Sequence, residues 1–118
     1  MIRLQEQTKV YISLTPTDFR KSINGLSACV LDELSLSPQS GDCYLFWNKS
    51  RNKIKILFWD NNGFVLYYKR LEKGKFKIPR DMNVHYLEVT QDQLDWLLAG
   101  LDFMLMKQFN QINYSAYY

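Results

Sequence analysis

The stretch from residue 53 to residue 70 constrains this chain more than any other. Lys53-Ile54-Lys55-Ile56-Leu57-Phe58-Trp59 and Phe64-Val65-Leu66-Tyr67-Tyr68-Lys69-Arg70 flank the reversal signal Asp60-Asn61-Asn62-Gly63. Asn and Gly adopt positive φ at little cost, so these four residues turn the chain back on itself and the flanks pair as a hairpin. The period of two puts Ile54, Ile56 and Phe58 on one face of the first strand and Lys53, Lys55, Leu57 and Trp59 on the other. A chain with this hairpin at its centre must build a sheet, and the remaining residues have to cover it.

Further strands are expected at Val10 to Leu14, at Cys43 to Asn48 and at Val84 to Val89. Phe76 and Ile78, alternating with Lys75 and Lys77 ahead of Pro79, read as one more short strand. Two segments switch to helical spacing. In the first, Thr15 is placed to cap, Pro16 suits the first helical position, Asp18 closes a capping box, and Leu14 and Phe19 form a staple. Phe19, Ile23, Leu26, Val30 and Leu34 then recur on one stripe, with Gly25 weakening the helix slightly or allowing a close approach, and a stop expected before Ser37-Pro38. In the second, Thr90 caps, Gln93 answers, and Val89 staples to Leu94. Leu94, Leu97, Leu98 and Leu101 make its apolar face, and Gly100 offers the stop.

The expected fold is therefore α+β, a single compact domain with a mostly antiparallel sheet of about five or six strands and two main helices. Residues 1–103 form that domain, and residues 104–118 form a C-terminal tail that extends a helix or frays.

Composition narrows the function. The net charge is only +3, but the ten basic residues between 49 and 80 face Asp60 and Glu72 alone, giving that window +8 and the rest of the chain −5. A polyanion would meet this chain at one place. Apolar runs are far shorter than the roughly 20 residues a bilayer span needs, and the polar opening lacks a signal-peptide core, so the expectation is a cytoplasmic protein with no membrane partner. Cys29 and Cys43 are far apart and suit a reducing compartment. One histidine, His85, and two dispersed cysteines assemble no zinc set, and neither a phosphate-binding glycine loop nor a nucleophile elbow is present. No metal, no cofactor and no catalytic residue is expected.

The candidate contact set for nucleic acid is Lys53, Lys55, Lys69, Arg70, Lys73, Lys75 and Lys77 for phosphates, with Trp59 and Tyr68 for bases or sugars. Arg20 and Lys21 join it beside the first helix start. The competing reading is that these lysines only keep a sheet edge soluble while the aromatics fill the core. Leu105, Met106 and Phe109 are candidates for a protein interface.

The same segments carry a family likeness. Pro16-Thr17-Asp18-Phe19-Arg20-Lys21 with Gly25-Leu26, then Lys53 to Asp60, Gly63-Phe64, Tyr68 to Gly74, and Leu94, Leu97-Leu98, Gly100-Leu101-Asp102-Phe103 follow one another in order. Together, over roughly residues 2 to 103, they resemble the small accessory protein TnpB of one large bacterial insertion-sequence family, encoded beside its transposase. Ser22 and Ile23 stand where that family usually has a Gly-aromatic pair, Phe103 where Trp is common, and the apolar tail is longer. The resemblance implies a noncatalytic accessory factor for transposition, with strand-transfer chemistry left to the transposase. Its implied partners are DNA, the cognate transposase or both, and self-association is a further option.

Overall fold

The computed structural model describes residues 7–79 and 83–106. Five strands form one sheet: β1 (Val10–Ser13), β2 (Cys43–Trp47), β3 (Lys53–Asp60), β4 (Gly63–Arg70) and β5 (Tyr86–Val89), in the order β4-β3-β2-β1-β5. Helix α1 (Ile23–Asp32) lies between β1 and β2, and α2 (Gln91–Leu98) follows β5. The α+β expectation holds, with five strands.

The central hairpin forms where the sequence placed it. Asp60 pairs with Gly63 and the register runs unbroken to Lys53 opposite Arg70, while Asn61 supplies the positive φ, 55°. One pair departs from the antiparallel expectation: β1 and β2 run parallel, Val10 beside Cys43 and Ile12 beside Leu45. The cause is the connection, because α1 intervenes and returns the chain to the same end of the sheet, as a parallel crossover requires. The proposed strand at Phe76 and Ile78 pairs with nothing along its length. It is an extended strap, tied by Leu71 N–H to Asn52 O and by Phe76 N–H to Arg51 O, with Phe76 and Ile78 buried and Lys75 and Lys77 outside.

Both faces of the sheet are covered over β1, β2 and β3. Ile12, Leu45, Trp47, Ile54 and Ile56 pack under Leu94, Leu97 and Leu98 of α2, joined by Phe76, Ile78 and Phe103. Tyr11, Tyr44, Phe46 and Leu57 pack under Leu26, Cys29 and Val30 of α1. Cys43 and Cys29 thus lie in different cores, both as buried free thiols, and burial pushes the Cys43 thiol up to about 12.

The capping box of α2 is present: Thr90 Oγ1 accepts from Gln93 N–H at 3.1 Å and Gln93 Oε1 accepts from Thr90 N–H at 2.8 Å. Gly100 ends the helix at φ 85°. Leu101, expected on the apolar face, falls beyond that stop and is 48% exposed. Thr90→Ala should lower the unfolding free energy by about 1 kcal/mol, read from the urea midpoint at unchanged slope.

Helix α1 begins later than its sequence signature. Its N-cap is Ser22, not Thr15, and no capping box forms at Asp18. The Asp18 carboxylate instead takes the backbone N–H and guanidinium of Arg20, and Thr17 N–H is drawn to Trp47 O at 2.8 Å. An acid that finds a near charged partner stops serving the helix start. Phe19 still packs on the α1 side, from the loop rather than from the helix. The helix also ends at Asp32, short of Ser37-Pro38. Gly25 makes the expected close approach: a Cβ there would stand 3.0 Å from Lys21 Cβ.

Candidate nucleic-acid interface

Strand register decides which cations meet. Lys53 and Arg70 are direct partners at the open end of the β3–β4 hairpin. The β2–β3 turn lies at that same end, where Asn48 accepts the backbone N–H groups of Asn52 and Lys53 and ties off the loop carrying Lys49 and Arg51. The strap then runs against this turn through Asn52 and Arg51, presenting Lys73, Lys75 and Lys77 outward. Seven cations therefore gather at one end of the sheet, with the acids Glu72 and Asp102 beside them. Glu72 is bonded to Arg70 at 2.9 Å across exposed side chains. Lys49 and Arg51 belonged to the basic window but not to the contact set. The tie from Phe76 to Arg51 brings them in, and no sequence period signals that tie.

A shallow cleft of about 220 Å³ opens at this end, lined by Arg51, Lys77, Ile78, Pro79, Asp102 and Met104. Leu105, three residues beyond Asp102, is 59% exposed, and Met106 is half-buried. Phe109 and Arg80 lie outside the described residues.

Two members of the candidate set, Lys55 and Lys69, donate to backbone carbonyls of the fold. Lys55 is only 7% exposed, because α1 and the 15–22 loop cover the face it shares with Leu57. Its Nζ donates to Phe19 O at 2.9 Å and Lys21 O at 2.7 Å and sits 4.9 Å from the centre of the Phe19 ring. Burial lowers the Lys55 pKa, against the opposing charge of Asp18. Lys69 points to the other face, and its Nζ donates to Leu98 O at 2.7 Å, placing a cation on the C-terminal end of α2. The sequence does contain a hint for Lys55: Leu57, on the same face two residues on, has no reason to face water.

The aromatic candidates divide as well. Tyr68 is half-exposed, lying beside Phe19 over the Lys55 ammonium. Trp59 packs edge-on to Phe64 at 5.0 Å, at the far end of the hairpin from the cations. His85 is exposed just ahead of β5, with its carbonyl accepting from Leu14 N–H.

Arg20 and Lys21 are exposed on the loop that Lys55 holds. Arg20 is paired with Asp18 at 2.7 Å, and that hydrogen-bonded guanidinium holds the Asp18 carboxyl at about 2, below its ordinary 3.8. A depressed folded pKa means the pair's contribution is present above 3.8 and lost as pH falls through about 2. Carbon-detected NMR should give Asp18 a midpoint near 2 in the native protein and a return toward 3.8 in Arg20→Ala.

Among the described residues no group of three or more His, Cys, Asp or Glu side chains is placed to hold a metal ion, and no helix is long and apolar enough to cross a membrane.

The family model described as IS66 Orf2 like protein matches residues 8–108 of the chain. The uncharacterized protein y4jC of Sinorhizobium fredii is 33% identical over 110 residues, covering 92% of each chain. The uncharacterized protein y4hO of the same organism is 29% identical over 103 residues, covering 87% of this chain and 89% of the relative. No solved structure matches the chain.

Proposed function

The chain belongs to the family of IS66 Orf2-like proteins, and from that membership we propose that it is a noncatalytic transposition accessory factor that contacts element DNA through the basic end of its sheet. The carrying observation is the convergence of Lys49, Arg51, Lys53, Arg70, Lys73, Lys75 and Lys77 from three separate segments onto one end. Cations on a hairpin, a turn and a strap that are tied to one another present a fixed field to a phosphate backbone, and such contacts position a protein without reading sequence. Tyr68 and the exposed Arg20 and Lys21 flank this end on the α1 side and would extend the track. The transposase would then meet DNA already carrying this protein, or meet both together.

Fluorescence anisotropy with duplex and single-stranded oligonucleotides across a salt series tests this. The expected result is binding whose logarithm falls linearly with log salt, with a slope of about −4 to −6 if five to seven phosphates are neutralised. An absence of binding by the folded protein at low salt would overturn direct contact. The role would then pass to a second reading, recruitment by the transposase through an apolar surface. That reading is favoured by the exposure of Leu101 and Leu105, 48% and 59%, beside Met106. It would also draw on Phe109.

A further inference from the structure

The two edges of the sheet differ. β5 is four residues long, whereas β4 runs for eight and pairs with β3 without a bulge from Gly63 to Arg70. Because Asp60 and Gly63 close a two-residue turn, they form a hydrogen-bonded pair, and the alternation continues through Val65, Tyr67 and Lys69. The backbone groups of Phe64, Leu66, Tyr68 and Arg70 therefore face away from the sheet, and among the described residues nothing else accepts or donates to them.

An open edge of this length is normally blunted by a proline, a bulge or a free charge. Residues 63–68, Gly-Phe-Val-Leu-Tyr-Tyr, contain no charge and no proline. Of the two cations that follow, Lys69 is drawn off to the Leu98 carbonyl and Arg70, at the strand's end, is paired with Glu72 across exposed side chains. Val65 and Tyr68 are 39% and 50% exposed along the strand.

We propose that the β4 edge is a self-association surface, on which a second copy of this chain adds its own β4 antiparallel across a twofold axis near Leu66 and Tyr67. The distribution of charge selects the partner and its direction. Antiparallel pairing sets Lys69 and Arg70 against the uncharged first half of the other strand, and parallel pairing sets them against themselves. A twofold contact satisfies the same row of donors and acceptors on both chains, giving one ten-stranded sheet. Of the proposed DNA-contact residues this surface uses only the Tyr68 and Arg70 backbone, while Lys49, Arg51, Lys53 and the strap lysines lie off the β4 edge.

The test uses the full chain carrying Val65→Cys with a nitroxide label, Cys29 and Cys43 being buried, and sedimentation velocity of the unlabelled protein. The expected result is a concentration-dependent dimer. The label should show dipolar broadening that vanishes on mixing with excess unlabelled chain, since the two Val65 positions fall within about 15 Å of each other at 3.4 Å per residue. Tyr68→Pro removes an outward N–H at an edge position that tolerates proline, and should be monomeric. A monomer at all concentrations, a dimer without broadening, or a folded Tyr68→Pro variant that still dimerises would each overturn the proposal. If Tyr68→Pro does not fold, the broadening decides alone. A chain that is monomeric by itself but buries this edge against transposase would likewise overturn self-pairing.

Discussion

Lys55→Met is expected to lower the unfolding free energy by about 2–3 kcal/mol, because a charge-assisted donor to two backbone carbonyls disappears. Methionine keeps much of the aliphatic stem, so the lost packing is small and the deficit reads on the polar contacts. The loop from Thr15 to Ser22 has no ladder bonds of its own along most of its length. It is held by Thr17 N–H on Trp47 O and by the Lys55 ammonium under Phe19 and Lys21. Hydrogen exchange should therefore accelerate first around Phe19 to Ser22 and across the start of α1, with α2 unaffected. Lys69→Met should show the mirror pattern, a loss of about 1–2 kcal/mol with fraying at the C-terminal turn of α2. Urea unfolding of the two variants, with exchange read by residue, checks both. If Lys55→Met is as stable as the parent, the ammonium is not the anchor of that loop.

The second large effect concerns the exposed cations. Reversing Lys49, Lys73, Lys75 and Lys77 to Glu should leave the fold intact, since all four side chains point to water and exposed substitutions usually cost under about 0.5 kcal/mol each. The same variant should lose DNA affinity by roughly 100-fold or more, and its salt slope should shrink by about 3–4, close to one unit per lost phosphate contact. Melting curves and anisotropy on one preparation separate the two outcomes. A reversal that simply mixed every lysine of the hairpin would not do so. Lys55 and Lys69 would take the fold with them, and weak binding would then report unfolding.

What the sequence disclosed and what it hid follow from distance along the chain. The hairpin turn at Asp60 to Gly63 and the Thr90–Gln93 box need only neighbours within four residues, so residue type and spacing suffice for them. The start of α1 had equally good spacing and came out wrong by seven residues, from Thr15 to Ser22. Asp18 had an alternative partner in Arg20, and the segment had tertiary ties to Trp47 and Lys55 that propensity does not contain. Period two set the strap residues Phe76 and Ile78 apart from Lys75 and Lys77, and the structure buries the first two and exposes the second two. It could not say whether a neighbouring strand was there to pair with them. Nor does alternation reveal what covers a face: Lys55 was legible as a residue on the Leu57 side, but only α1 and its leading loop turn that side into an interior.

The basic site was legible as a window of sequence and not as a surface. Nine of its ten cations fall in described segments, and two of those nine, Lys55 and Lys69, serve the fold. Family membership accounts for the transposition context. The surface assignment rests on the ties among the β2–β3 turn, the hairpin end and the strap.

Amide chemical-shift mapping with a short duplex tests that assignment most directly. On the proposed reading, the perturbed amides cluster at Lys49 to Lys53, at Arg70 and along Lys73 to Lys77, while the Asp60 to Gly63 turn and the first turn of α2 at the opposite end stay unmoved. Perturbation centred on that opposite end, or none at a DNA excess in low salt, would contradict it.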